Sequence, residues 1–317
     1  MSAKNIPLGL AFGMAAGAFW GLVFVVPDVA NHFGPLQLSA GRYLAYGVFA
    51  LALLAPHWRR IAPALGRAEW IALAWLSLLG NILYYVLLAS AVQLGGVAMT
   101  SLVIGFLPVT VTIIGSRSKG AVPLPRLLPS LALSMAGIAC IAWQSLGAAS
   151  SASFLTQVSG FACAVGALVS WTGFAVGNSR WLARLDGFSG HDWSLLIGVM
   201  TGAQALLLVP PALLFEGMGQ GAHDWLMFAG VCTGVALFSS IIGNGLWNRM
   251  SRLLPLTMVG QMILFETLFA LLYGFLWEKR WPTMFEGLAM VLVVASVLSC
   301  LAAHRPREGS EPLLADH

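Results

Sequence analysis

The chain has 317 residues, of which 59% are hydrophobic and only 9% are charged, and its formal net charge is +4 at pH 7. A soluble globular domain has about 25% charged residues, so this composition excludes a soluble fold and indicates an integral membrane protein. The basic residues stand in short links between apolar runs, and the positive charge therefore does not indicate a nucleic-acid-binding surface.

Ten apolar windows are long enough to cross a bilayer, which takes about 20 helical residues. They are residues 8–27, 36–55, 70–92, 94–115, 127–146, 154–176, 193–215, 225–247, 256–277 and 283–303. The first window follows Lys4 and precedes no A-x-A cleavage site, so we predict a spanning helix there rather than a signal peptide. The predicted fold class is an all-α polytopic membrane protein with ten transmembrane helices.

Basic residues are concentrated in alternate links between the windows. With the N-terminus placed in the cytoplasm, the opposite side carries only Lys279 and Arg280, while Arg42 lies within a window. Because cytoplasmic loops of membrane proteins are enriched in Lys and Arg, we predict that both termini lie in the cytoplasm.

The two halves of the chain are weakly similar. Gly80–Tyr85 in the third window corresponds to Gly243–Asn248 in the eighth, and Phe106–Pro108 in the fourth corresponds to Phe265–Thr267 in the ninth. Because each half has five windows, the second half enters the membrane from the opposite side, which predicts two inverted five-helix repeats over residues 1–150 and 151–303. Residues 304–317 are predicted to be a disordered cytoplasmic tail.

Small residues recur at helical spacing in two windows. Gly13, Gly17 and Gly21 form GxxxGxxxG in the first, and Gly173 and Gly177 form GxxxG in the sixth. This spacing lets helix backbones approach closely in a membrane, so it predicts tight packing and does not identify a function.

Three charged residues fall within the windows. Glu286 follows Thr283 at the spacing of a capping box and is predicted to cap the tenth helix. Arg42 has two interpretations: a structural residue that pairs with Asp28 or reaches the interface, or a residue of the external vestibule that meets an anionic substrate group. Glu266 lies deep in the ninth window, where a charged side chain costs at least ~2.5–3.5 kcal/mol.

Glu266 shares a helix face with the apolar and aromatic side chains of Met262, Phe269 and Tyr273. This stripe is predicted to line a substrate pocket, with Glu266 as a substrate contact or a proton-coupling site, since burial favours the protonated form of a carboxylate. The alternative is a structural hydrogen bond from Glu266 to a neighbouring helix.

Polar and aromatic residues form matching stripes on the third and eighth helices. Two such stripes favour a pocket over a lipid-facing surface, although each asparagine could instead hydrogen-bond helices together. These stripes, with two tryptophans placed away from the membrane interfaces, predict the following pocket residues: Asn81, Tyr84, Tyr85, Asn244, Trp247, Asn248, Trp20 and Trp171.

The sequence has no P-loop, HExxH, GxSxG or HxxEH motif, so no enzymatic activity, cofactor or metal site is predicted. The four cysteines stand singly in apolar runs and indicate helix packing. Energy for transport would therefore come from an ion gradient or from the gradient of the substrate itself.

Three stretches resemble EamA-like transporters of the drug/metabolite transporter superfamily. They are Gly17–Gly21, the region from Ala89 to Pro108, and Glu266–Thr267 with Trp277–Glu278, which is similar to the family's Glu-Pro…Gly-Glu pattern. The proline of that pattern is missing beside Glu266, whereas the first-half counterpart Pro108 is present. The resemblance implies a central cavity between the first, third, fourth, sixth, eighth and ninth helices, and export or exchange of small metabolites across the bacterial inner membrane.

The sequence therefore predicts a secondary transporter that moves a small amino-acid-like or drug-like metabolite by alternating access, with proton exchange at Glu266 as the candidate coupling step. An uncoupled facilitator or exchanger is the alternative, and a non-transporting membrane scaffold or sensor is a more distant one. The expected partners are the substrate, the lipid bilayer and protons, and the oligomeric state is left open.

Overall fold

The computed structural model describes residues 6–30, 32–118, 121–145, 154–184 and 189–304, and within them all regular structure is helical. The α-helices are α1 (Ile6–Gly21), α2 (Val26–Val29), α3 (Pro35–Leu54), α4 (Trp58–Ile61), α5 (Arg67–Ser77), α6 (Leu83–Ile104), α7 (Leu107–Ser116), α8 (Leu124–Ser145), α9 (Phe154–Leu182), α10 (Gly190–Ala205), α11 (Val209–Glu216), α12 (Ala222–Val235), α13 (Asn244–Leu253), α14 (Leu256–Met262), α15 (Leu264–Glu278) and α16 (Met284–Ala303). The predicted tail beyond His304 lies outside the described residues.

Seven helical segments of the described chain are long and apolar enough to cross a membrane: Leu36–Ala64, Arg67–Ala91, Phe154–Leu182, Gly190–Glu216, Ala222–Leu253, Leu256–Trp277 and Met284–Ala303. Three shorter apolar helices accompany them, over Ile6–Gly21, Leu107–Ser116 and Leu124–Cys140. The helical, multi-pass character predicted from the sequence is confirmed. The count of ten transmembrane helices and the inverted repeats stay predictions.

Helix α6 runs through the link that the sequence places between the third and fourth windows. The link is helical although Gly95 and Gly96 follow it directly.

The glycines of α1 form a seam against α14 and α15. A Cβ atom added to Gly17 would stand 2.8 Å from the carbonyl carbon of Phe265 and 2.9 Å from the backbone nitrogen of Glu266. Gly13 and Gly21 lie similarly close to α14 and α15, one turn away on either side. The tight packing predicted from GxxxGxxxG is confirmed, and the partner is the helix that contains Glu266.

Two pairs of irregularities interrupt the central helices. π-Helical segments at Leu78–Ile82 and Ala236–Gly243 precede α6 and α13. The ninth window has a tightened turn at Ile263, whose carbonyl accepts the Glu266 N–H at 3.0 Å while its own dihedral angles stay helical, and Thr267 stands there in place of proline. The fourth window is interrupted between α6 and α7, where Pro108 is the second residue of α7. Discontinuous helices border the binding sites of many secondary transporters.

The capping box predicted at the start of α16 is confirmed. Thr283 Oγ1 accepts the Glu286 N–H at 3.3 Å, and the Glu286 carboxylate accepts the Thr283 N–H at 2.7 Å. Arg280 donates to both carboxylate oxygens, at 2.7 and 2.8 Å. The carboxylate of Glu286 therefore caps the start of α16 and pairs with Arg280.

One end of the bundle is held together by contacts between α7, α14 and α16. A Cβ atom on Gly260 would stand 2.6 Å from Thr112 Oγ1, and this hydroxyl donates to the Thr257 carbonyl at 3.2 Å. His304 Nδ1 donates to the Cys300 carbonyl at 2.7 Å, and Nε2 lies 2.8 Å from Thr257 Oγ1. With the ring neutral, Nε2 accepts the Thr257 hydroxyl proton. Burial lowers the pKa of His304 below its ordinary value, and the bond to Cys300 opposes that shift.

Gly17→Ala should destabilise the protein, whereas Gly173→Ala should not. The new methyl group at Gly17 meets the backbone of α15, and such overpacking costs about 1–3 kcal/mol. At Gly173 the nearest atom to a new Cβ is Leu79 Cδ1 at 3.5 Å, an ordinary contact. Thermal unfolding of the two purified variants in detergent measures the difference. Equal melting temperatures would show that the α1 seam is not tightly packed.

Acidification should destabilise the protein partly through His304. The folded state binds this proton less readily than the unfolded chain, so stability present above about pH 6.5 is lost as the pH falls below it. We expect the melting temperature to fall less steeply between about pH 7.5 and about pH 5.5 in His304→Gln than in the parent. His223→Gln is the control, because His223 is exposed. Identical pH profiles for the parent and His304→Gln would refute this role.

Candidate solute-binding site

Four aromatic side chains from four helices meet at the centre of the bundle; they form the aromatic cluster, Trp20, Tyr84, Trp171 and Trp247. The Trp20 and Trp247 ring centroids are 4.8 Å apart, and Trp171 lies 6.3 Å from Trp20 and 5.7 Å from Trp247. Tyr84 lies 6.5 Å from Trp171. The structure thus brings together tryptophans that the sequence places on the first, sixth and eighth predicted helices.

Trp20 is oriented by polar groups at the π-helical segment Ala236–Gly243. Its Nε1–H donates to the Ser239 carbonyl at 3.2 Å and to Asn244 Oδ1 at 3.1 Å. The Asn244 amide in turn lies 3.4 Å from the Tyr46 hydroxyl, which donates to the Ser194 carbonyl at 2.9 Å. A π-helical turn displaces side chains from the regular helical register and is frequent at functional sites.

Arg42 lies beside this cluster, on α3. Its guanidinium carbon is 5.2 Å from the centre of the Tyr43 ring and 5.8 Å from that of Tyr85. Nη2 lies 3.4 Å from Ser239 Oγ, and Nε is buried without a hydrogen-bond partner. The proposed pairing with Asp28 is not tested, because the Asp28 side chain lies outside the described residues.

Glu266 is the third residue of α15, in its first turn. A carboxylate there is stabilised by the positive end of the helix dipole. Among the described residues, no hydrogen bond ends on its side-chain oxygens. Arg42 acts on it electrostatically, and Glu266 acts on Tyr84 in the same way. The two intramembrane charges and the aromatic cluster therefore share one electrostatic environment.

Two of the predicted asparagines hold helices together. Asn248 is 2% exposed, and its Oδ1 accepts the Asn178 amide at 2.7 Å, while Asn178 Oδ1 accepts Trp193 Nε1–H at 2.9 Å. Asn81 Nδ2 donates to Thr201 Oγ1 at 2.9 Å. Both arrangements match the hydrogen-bonding alternative for these residues.

The residues of the predicted stripe on the ninth helix lie in different surroundings. Met262 is 2% exposed and packs against Gly13 on α1. The Phe269 and Tyr273 rings lie 5.9 Å apart. Phe269 also lines an apolar groove of about 440 Å³, together with Met14, Phe265, Leu268, Leu272, Met290, Val291 and Val294.

Three residues near the site were missed by the sequence interpretation: Tyr43, Tyr46 and Ser239. The two tyrosines follow Arg42 by one and four positions, and the i+4 spacing puts Tyr46 on the same helix face as Arg42. That spacing could have identified Tyr46 from the sequence. Nothing in the sequence identifies Ser239 as a site residue, because its position depends on the π-helical segment.

Among the described residues, no three His, Cys, Asp or Glu side chains come together as a metal site. The site consists instead of aromatic rings, amide and hydroxyl groups and one charge of each sign. Such an arrangement suits a small organic solute with a flat apolar part and a few polar groups.

Comparisons with known proteins agree with these features. Residues 7–143 match the model of the EamA-like transporter family. The chain is 29% identical over 315 residues to the inner membrane protein YtfF of Escherichia coli (strain K12), covering 93% of this chain and 95% of the relative. A solved structure described only as the crystal structure of a protein superposes with a TM-score of 0.73 at 17% identity, over 94% of this chain and 98% of the other. That likeness concerns the fold alone.

Asn248→Ala and Asn244→Ala should affect stability differently. Asn248→Ala leaves the buried Asn178 amide unpaired, which costs about 1–3 kcal/mol. Asn244 is half-buried and its bonds of 3.1 and 3.4 Å are longer, so its loss should cost less. Thermal unfolding of both variants measures this order. A larger loss for Asn244→Ala would mean that Asn244 is the structural residue of the pair.

Proposed function

We propose that this membrane transporter of the EamA-like family carries a small organic solute through the aromatic cluster by alternating access. The observation that supports the proposal is the meeting of Trp20, Trp171 and Trp247 inside a helical bundle. Ser239 contacts both Arg42 and Trp20, and the Glu266 backbone lies against Gly17 of α1. A central site of this kind is accessible to either side of the membrane in turn, as transport requires.

The aromatic cluster would hold the apolar part of the solute. Ring centroids 4.8–6.5 Å apart on different helices mean that the rings contact one another. The helices would therefore have to separate for a flat group to enter between the rings. Asn244 and Glu266 would then orient the polar part. The solute is therefore amino-acid-like or drug-like in size, and export or exchange is the proposed direction.

Irregularities in the fourth and ninth windows support alternating access. The break between α6 and α7 would let one half of the fourth window move while the other stays packed, and the tightened turn at Ile263 is the corresponding place in the ninth. The contacts of Gly260 and Thr257 with α7 would close one end of the pathway, and their separation would open it.

Proton exchange at Glu266 is the proposed coupling step. A carboxylate without a hydrogen-bond partner among the described residues is free to exchange a proton with solvent when its side of the pathway opens. A half-buried position, rather than a sealed one, is consistent with such access.

An uncoupled exchanger is the second candidate function, and the position of Arg42 favours it. Arg42 offers a positive charge to Glu266 within the cluster. Without forming a salt bridge, this charge would offset that of the carboxylate through the transport cycle, and no proton would be needed.

The proposed location is the bacterial inner membrane, with both termini in the cytoplasm. The multi-pass apolar helices and the inner membrane relative support the compartment. The orientation rests on the distribution of Lys and Arg in the sequence.

Glu266→Gln should abolish stimulation of transport by a pH gradient and leave solute counterflow intact. The measurement uses proteoliposomes and a solute identified by a thermal-shift screen of amino acids, purines, quaternary amines and sugars. Glu69→Gln is the control, because a glutamine can still cap the start of α5. If a pH gradient still stimulates transport in Glu266→Gln, proton coupling at this residue is excluded and the exchanger is favoured.

A further inference from the structure

Arg42 is an intramembrane cation whose charge and N–H groups have few partners among the described residues. Of the described residues, no carboxylate lies within salt-bridge distance of its guanidinium. Its one hydrogen bond, to Ser239 Oγ, is long at 3.4 Å, and Nε is buried and unpaired. A cation that costs several kcal/mol in hydrocarbon is expected to have a partner, and the protein leaves most of its donors free.

The guanidinium is nevertheless held in a defined position. Tyr43 and Tyr85 flank it from two helices, and the two rings lie 6.1 Å apart at an angle of 86°. Ser239, which is 1% exposed, contacts both Arg42 and Trp20, through its hydroxyl and its carbonyl respectively. A group bound by Arg42 would therefore lie next to the aromatic cluster.

We propose that Arg42 is the anion-binding residue of the central site, and that the carried solute has a carboxylate next to a flat or aromatic part. Two guanidinium N–H groups can bind the two oxygens of a carboxylate side by side, a strong and directional arrangement. The premise that a solute enters the cluster comes from the proposed transport function.

The charge balance selects a carboxylate over a phosphate. Arg42 is the cation acting on Glu266 among the described residues. A phosphate monoester carries about −1.5 to −2 charges at pH 7, which one arginine beside a carboxylate does not neutralise. In the state of the proposed coupling step in which Glu266 is protonated, the single negative charge of a carboxylate matches the one guanidinium.

Equilibrium binding to the purified protein tests the proposal without any gradient. The probes are 3-phenylpropionate, its neutral amide 3-phenylpropionamide, and 3-phenylpropylphosphonate, and the signal is tryptophan fluorescence. The parent should bind the carboxylate about tenfold more tightly than the amide. Arg42→Gln should reduce that ratio to about one, and Arg42→Lys, which keeps the charge without the planar fork, should give an intermediate ratio. Arg59→Gln is the control, since Arg59 is exposed.

Melting temperatures separate a binding role from a structural one. Removing a poorly compensated cation should leave the melting temperature of Arg42→Gln unchanged or higher, whereas a structural role predicts a loss. The proposal is overturned by an unchanged ratio in Arg42→Gln, by equal binding of acid and amide to the parent, by tighter binding of the phosphonate, or by no binding of 3-phenylpropionate. Transport that persists alongside any of these results would leave the proposed function intact.

Discussion

The close approach of α1 to α15 is the contact on which the central site depends. Lipid tails are as apolar as leucine side chains, so helices in a membrane associate through shape rather than through water exclusion. Gly17 lets the backbone of α1 reach the backbone nitrogen of Glu266. The same helix presents Trp20 one turn later. One backbone contact thus fixes the carboxylate and the first tryptophan of the aromatic cluster together.

Charged residues at the helix ends differ from those at the centre. Glu286 is bound by Arg280, Asp192 accepts Arg60 at 2.9 Å, and the Glu216 carboxylate accepts two N–H groups at the start of α3. Arg42 and Glu266 have no such local partners among the described residues. Because both are costly in hydrocarbon, their lack of such partners is the observation from which the proposed roles in binding and coupling start.

The weak similarity between the two halves corresponds to matched irregularities in the backbone. Asn81 lies within one π-helical segment and Asn244 directly follows the other. Pro108 follows the break between α6 and α7, and Glu266 follows the tightened turn at Ile263. Only the second half of the chain has a carboxylate at this position, since Leu107 occupies the position in the first half that corresponds to Glu266. The site is therefore asymmetric even where the backbone is similar, as expected for binding one oriented solute.

The sequence by itself determined the membrane class, the helical fold, the glycine spacing of α1, the capping of α16 and the four residues of the aromatic cluster, because each depends on local composition or helical spacing. Tertiary structure decided which polar residues face the site. Asn248 pairs with Asn178, whereas Arg42 lies beside the Tyr43 and Tyr85 rings, with Nη2 3.4 Å from Ser239 Oγ. The physical reason is that helical spacing gives the face of a residue but not its neighbour. The neighbours depend on where backbones approach and where π-helical turns shift the register.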